Sequence, residues 1–300
     1  MRRPDVAGGA FVLIWSSGYV VGSIAAKSAA PVAITTWRLG LAAVLLAALA
    51  RGAGRRWPAR ATLGAIAGTG VVMFGVQFGA LYLAMSEGMP AGTAALLMSV
   101  CPLLVAGLSA ALGIERLRRP QLAGIALGFI GVVLALADRV SAPPSLEPVL
   151  WTLLGLAGFA VGTLLQRHLP AEVDFRVLGA VECAAAALAL VPWALLHGGL
   201  AIPLTARALS STGWLTVICA VGGPLVLFSL IRTRGATRAS SLLFLVPAVT
   251  AVASWPVLGQ PFGANTVGGL ALAGLGVWLL SQRAAPVRPA AEPARSLVRS

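Results

Sequence analysis

Charge is what this 300-residue chain has least of: Asp, Glu, Lys and Arg make up only 10% of it, and Lys27 is its single lysine. A water-soluble globule of that length cannot dispense with a charged surface, so the solvent around most of the chain has to be lipid. Histidine is nearly absent. His168 and His197 fall near the ends of apolar runs, on opposite sides of the membrane and without cysteine or carboxylate at ligand spacing, which argues against a metal site. The three cysteines, Cys101, Cys183 and Cys219, lie inside apolar runs, so they read as small packing residues and not as an extracytoplasmic disulfide framework. No Ser, His and Asp constellation occurs in the apolar runs, which sets aside an intramembrane hydrolase. Residues 22–28, GSIAAKS, fail as a phosphate-binding loop because Ala26 stands where glycine is needed and no strand precedes them. No cofactor is expected, and no enzyme.

What the chain has instead is apolar sequence: 58% of its residues are hydrophobic and its mean hydropathy is +0.91. Runs of roughly 20 apolar residues, the length a bilayer requires, follow one another. They cover 6–26, 31–50, 62–85, 91–112, 121–137, 149–166, 177–197, 212–231, 239–258 and 264–281, giving ten transmembrane helices in an all-α integral membrane protein. The breaks fall where Pro, Gly and Arg cluster, and none has room for a soluble domain. The first run follows Arg2 and Arg3 in the manner of a signal peptide, but it is long and carries Trp15 and Tyr19 in mid-segment, so it reads as a spanning helix.

The formal charge of +13 comes from arginines in short loops and termini, not along one face interleaved with aromatics, so no nucleic-acid partner is expected. From a cytoplasmic N-terminus, only Lys27, Arg139 and Arg207 fall outside and Arg38 lies within a span; the other 18 of the 22 basic residues are cytoplasmic. That asymmetry puts both termini in the cytoplasm.

Residues 91–131 are echoed by residues 236–276. At a constant offset of 145, Pro102 matches Pro247, Glu115 matches Gln260, Gly124 matches Gly269 and Gly131 matches Gly276. Residues 6–137 and 149–281 therefore form two repeats of five helices each, followed by a basic cytoplasmic tail, 282–300, expected to be disordered. An odd number of spans per repeat inverts the second relative to the first. Inverted repeats around a midplane cavity are a common plan of secondary transporters.

Pro102, Gly113-Ile114-Glu115-Arg116, Gln121-Leu122-x-Gly124 and Gly128-x-x-Gly131 resemble the EamA domain of the drug/metabolite transporter superfamily. Trp15-Ser16-Ser17-Gly18-Tyr19, Pro31 and Trp37-Arg38-Leu39 are similar to its first two helices. The resemblance covers residues 8–281; Gln260 departs from the usual Glu, and Arg38 has no counterpart in the second half. It implies a ten-helix carrier whose cavity is lined by spans 1, 3, 4, 6, 8 and 9, with spans 5 and 10 peripheral. Members move amino acids, sugars, nucleosides, phosphorylated metabolites and drugs, so the substrate is left open.

Glu182 is the only acidic residue well inside a span, and so a candidate for proton coupling. Its alternative is structural, as a protonated or hydrogen-bonded group about 9 Å in by helical rise, snorkelling or paired with Arg176. Arg38 either attracts an anionic substrate or fixes a helix end by bonding to carbonyls; Arg favours the structural role, since it is retained where several fixed hydrogen bonds are needed. Trp15 and Tyr19 share a face with Gly18 and Gly22. With Gln77, Tyr82, Ser99 and Phe244 they are the cavity candidates, ordinary packing being the alternative for each. Pro102 and Pro247 are candidate bending points. Trp151 and Trp214, near span ends, read as interfacial belt residues. Gly124-x-x-x-Gly128 and Gly269-x-x-x-Ala273 suit close packing inside the chain or in a homodimer, and the oligomeric state stays open between monomer and homodimer.

The reading is a secondary transporter in a bacterial inner membrane, exporting a small organic metabolite, amino acid-like or related, or a drug by alternating access. Its partners are that small-molecule substrate, the lipid bilayer and, as a candidate coupling ion, the proton. A membrane protein that binds a ligand or partner without transport is the alternative. The topology is checked by Ala53→Cys and Ala290→Cys: an impermeant maleimide should label both only from the cytoplasmic side, and periplasmic labelling of either overturns the orientation.

Overall fold

The computed structural model describes residues 6–114, 119–140, 146–234, 242–260 and 263–281. Glu115, Arg116, Ser240, the tail 282–300 and the side chain of Phe244 lie outside what it describes. Among the described residues all regular structure is helical. The elements are α1 (Val6–Ala26), α2 (Pro31–Gly52), α3 (Arg60–Gly70), a π-helical segment (Val71–Val76), α4 (Gln77–Ser86), α5 (Ala91–Ser99), α6 (Cys101–Ala111) and α7 (Arg119–Val140). They continue with α8 (Glu147–Gln166), α9 (Phe175–Leu196), α10 (Ala206–Trp214), a second π-helical segment (Leu215–Gly222) and α11 (Gly223–Arg234). A 3₁₀ turn (Leu243–Leu245), α12 (Val246–Leu258) and α13 (Ala264–Ser281) complete the order.

Among the described residues, seven helical stretches are long and apolar enough to cross a membrane: Val6–Ala26, Pro31–Gly52, Arg60–Ser86, Ala91–Ala111, Glu147–Gln166, Phe175–Leu196 and Ala206–Leu227. Three shorter apolar stretches, Arg119–Leu134, Val246–Leu258 and Ala264–Leu279, coincide with the other expected runs.

Lipid leaves no water to satisfy the backbone, so helix ends and breaks must be closed locally. Pro31 opens α2, where its missing N–H costs nothing, and the Thr35 and Thr36 hydroxyls donate to the Pro31 and Val32 carbonyls at 2.8 Å. Asp174 caps α9 by accepting from the Arg176 N–H at 3.0 Å. Gly259 ends α12 in the left-handed region, φ 64°, which costs glycine little. Pro102 has no N–H to return to the previous turn, and the helix breaks beside it: α5 ends at Ser99, Val100 leaves helical geometry at φ −85°, ψ 2°, and α6 restarts at Cys101. The equivalent Pro247 is the second residue of α12, directly after the 3₁₀ turn.

The helices meet at glycines. On α7 and α13, a Cβ added at Gly131 would stand 2.7 Å from the Gly269 carbonyl oxygen, and one at Gly276 would stand 2.5 Å from that of Gly124. The contact is reciprocal, the same four repeat positions seen from either side, and these small-residue faces cover each other within one chain. On α3, Gly70 lies against the α9 backbone, where an added Cβ would come 2.3 Å from Glu182 Cα. Gly155, Gly158 and Gly162 of α8 admit the first π-helical segment and the start of α4, with backbone contacts at Gln77, Val72 and Met73. The α2–α9 pair closes the side away from α7 and α13.

Gly276→Ala is expected to lower stability in detergent by an amount on the order of 1–3 kcal/mol, the usual cost of overpacking, read as a fall in melting temperature. Gly274→Ala, on the same helix with nothing within 4 Å, should leave the melting temperature unchanged or slightly raised. Equal effects at both positions would contradict the crossing.

Candidate functional site

α2 and α4 meet at one buried guanidinium, and two further segments pack on the rings that hold it. Arg38, on α2, is only 4% exposed. Its Nη1 donates to the Tyr82 hydroxyl on α4, and its guanidinium carbon lies 4.1 Å from the Phe78 ring centroid and 5.6 Å from that of Tyr82. A charged side chain at membrane depth costs about 3 kcal/mol on insertion scales, and the two ring faces and the phenol offset part of that. Its Nε is buried without a partner.

Phe74, Phe78 and Tyr82 are four residues apart in succession, and their rings form a continuous stripe with centroid spacings of 6.0 and 6.2 Å. Phe74 belongs to the π-helical segment and the other two to α4. From α1, Gly22 admits the Tyr82 ring, since an added Cβ would meet Tyr82 Cε1 at 2.9 Å. One turn earlier Tyr19, half-buried, packs against the cluster holding Tyr82 and Cys101 and also against the cluster formed by Phe11, Val12, Leu230 and Val246.

The serines beside Trp15 join α1 to the start of α12 and to the second π-helical segment. Ser16 Oγ donates to the Val246 carbonyl at 3.2 Å, next to Pro247. Ser17 Oγ accepts from Trp214 Nε1 at 2.9 Å and lies 3.7 Å from Cys219 Sγ in the second π-helical segment. Trp15 itself is half-buried, its ring 5.2 Å from Phe11 and close to Gly223.

The other sequence-derived candidates are more dispersed. Gln77 is 6% exposed and opens α4 directly after the π-helical segment, its Oε1 without a partner. Ser99, half-buried at the break, donates to the Leu96 carbonyl at 2.7 Å. Pro102 is exposed while Pro247 is buried, so the two breaks face different surroundings. Trp151 bonds to Glu147 Oε1 at 3.2 Å one turn away and packs on Trp193, 5.8 Å between centroids.

Glu182 is 2% exposed and its Oε1 has no partner, so it does not snorkel. Nor is it paired with Arg176, the other alternative: Asp174 holds both Arg176, at 4.0 Å, and Arg55, at 3.1 Å. The reason is geometric: Asp174 caps α9 two residues before Arg176, whereas the Glu182 backbone is packed directly on Gly70 of α3. Arg38 likewise bonds to a phenol and not to helix-end carbonyls. The sequence reading missed Phe78, although the spacing of Phe74, Phe78 and Tyr82 marks the stripe.

The EamA-like transporter family matches this chain twice, over residues 5–137 and 146–282. The chain is 27% identical over 274 residues to the uncharacterized inner membrane transporter YedA of Escherichia coli (strain K12), covering 89% of this chain and 85% of that protein. It is 30% identical over 283 residues, 91% of each protein, to the probable terminal-alkyne amino-acid exporter of Streptantibioticus cattleyicolor. The probable amino-acid metabolite efflux pump of Salmonella typhimurium is 26% identical over 213 residues, covering 68% of this chain and 69% of that protein. A solved structure described as "Crystal structure of protein" shares the fold, with a TM-score of 0.64 at 20% identity over 92% of this chain and 95% of that one. With two family matches that between them span nearly the whole chain, on a helical membrane fold with a buried polar centre, this protein belongs to the EamA-like transporter family and is a membrane transporter.

Proposed function

We propose that this transporter is a secondary carrier of ten spans in two inverted halves, 6–137 and 149–281, exporting a small amino acid-like metabolite from a bacterial cytoplasm, with both termini inside. The observation that carries the reading is the recurrence of backbone irregularities at one offset. Shifted by 145, the first π-helical segment, 71–76, becomes 216–221, inside the second at Leu215–Gly222. The proline break at Pro102 becomes the one at Pro247, and the glycine contacts between α7 and α13 are reciprocal at the same offset. Such positions lie off the regular backbone ladder, which is where helices bend. Two halves with bends at matching places can exchange conformations of similar energy, the requirement for alternating access.

Export of an amino acid-like solute is supported by the names of the Streptantibioticus and Salmonella relatives. Trp15, Tyr19, Gln77, Tyr82 and Ser99 line the path, and Pro102 and Pro247 are its bending points. Glu182, a carboxyl with an oxygen lacking any fixed partner inside a spanning helix, is the coupling group for protons. The orientation rests on the arginine distribution.

In proteoliposomes loaded in turn with threonine, leucine and phenylalanine, a proton gradient should drive protein-dependent flux of at least one of them. Glu182→Gln should abolish the driven flux and preserve exchange. Driven flux unchanged in Glu182→Gln removes the coupling role, and absence of any amino-acid flux removes the substrate reading.

A further inference from the structure

We infer that Arg38 recognises a carboxylate on the transported solute, with Phe78 and Tyr82 as positioning residues that hold its guanidinium for that contact. This rests on the export reading above. Among the described residues Arg38 makes one side-chain hydrogen bond, from Nη1 to the Tyr82 hydroxyl, and no ion pair. A guanidinium carries five N–H donors in a rigid plane, and the edge shared by Nε and Nη2 matches the two oxygens of a carboxylate. That edge is left over here: Nη1 is tied to Tyr82, one face of the plane is covered by Phe78 at 4.1 Å, and the buried Nε has no partner.

The surroundings do not supply the missing charge. Glu182, the acidic residue within α9, forms no ion pair with Arg38 among the described residues and has its backbone against Gly70 of α3. A helix-end role would tie the guanidinium to carbonyls, and the described bond goes to a phenol instead. The described contacts of Arg38 run to α4, and through the Tyr82 ring to α1, which abuts it at Gly22. A fixed cation there, with an unused bidentate edge and no internal anion, is completed by an anionic group on the solute. Arg suits this better than Lys, whose single ammonium cannot present two parallel donors.

The test uses the full-length protein in detergent and nine probes: threonine, leucine and phenylalanine, the amide of each, and the corresponding acid lacking the amino group. Binding is followed by thermal stabilisation and transport by liposome flux. The carboxylate-bearing probes should bind about 10- to 100-fold more tightly than the amides, the range of a hydrogen bond to a charged group. Arg38→Gln should erase that preference. Arg38→Lys should keep part of it, and Tyr82→Phe, which preserves the ring and frees Nη1, should weaken it without abolishing it. Amides that bind as well as the acids in the wild-type protein would overturn the inference without any variant having to fold. So would an acid preference that survives Arg38→Gln, or transport of a nucleoside, sugar or cationic drug when none of the nine probes binds. Absence of flux for every compound would count against the export reading instead, leaving the acid-to-amide binding ratio to decide the role of Arg38.

Discussion

Backbone packed directly on backbone is the constraint from which this molecule is built. Between helices in lipid there is little hydrophobic force to gain, so association depends on close approach, and close approach depends on residues with almost no side chain. Gly70, Gly131, Gly155, Gly162 and Gly276 each stand where a Cβ would come within about 3 Å of another helix's backbone. These contacts join α3 to α9, α7 to α13 and α8 to the first π-helical segment. Gly22 is the same device turned toward function, because the space it leaves is filled by the Tyr82 ring that holds Arg38.

The tight crossings set off the looser part of the fold. Both π-helical segments, the break at Val100 and the 3₁₀ turn before Pro247 interrupt helices other than the α2–α9 and α7–α13 pairs. Through Ser16 and Ser17, α1 bonds to the start of α12 and to the second π-helical segment, and through Gly22 it meets the aromatic stripe of the first half. A shift of α1 would therefore be felt at Arg38 and at the bends together. In the proposed carrier, this arrangement would link solute binding at Arg38 to movement at the bends, with the close-packed α2–α9 and α7–α13 pairs as the frame.

Much of the fold was legible in sequence because its signals are additive along the chain. Apolar runs, arginines in loops and prolines in mid-run each act locally, and among the described residues each expected run overlaps helix, the run 91–112 being broken at Val100. The π-helical segments were not legible, since Val71–Val76 and Leu215–Gly222 have the composition of ordinary apolar helix. The start of α10 at Ala206 was missed because Ala206–Trp214 is polar on one face and adds little hydropathy. At the site, the type and depth of Arg38 could be read, but its partner could not. Tyr82 is 44 residues away and meets it only through tertiary packing. For Arg176, a pair with Glu182 was one alternative in the sequence, whereas Asp174, the helix cap two residues before it, takes the guanidinium.

The decisive measurement is of motion at the two ends of the bundle. Spin labels at residues 87 and 205 report the side read as outer, and labels at 60 and 232 the cytoplasmic side, each pair in a background without native cysteines. Alternating access by inverted halves predicts that adding a transported amino acid in lipid nanodiscs moves the two distance distributions in opposite directions, one pair separating as the other closes. Distributions that stay single and unchanged at both ends, or that widen together, would contradict it.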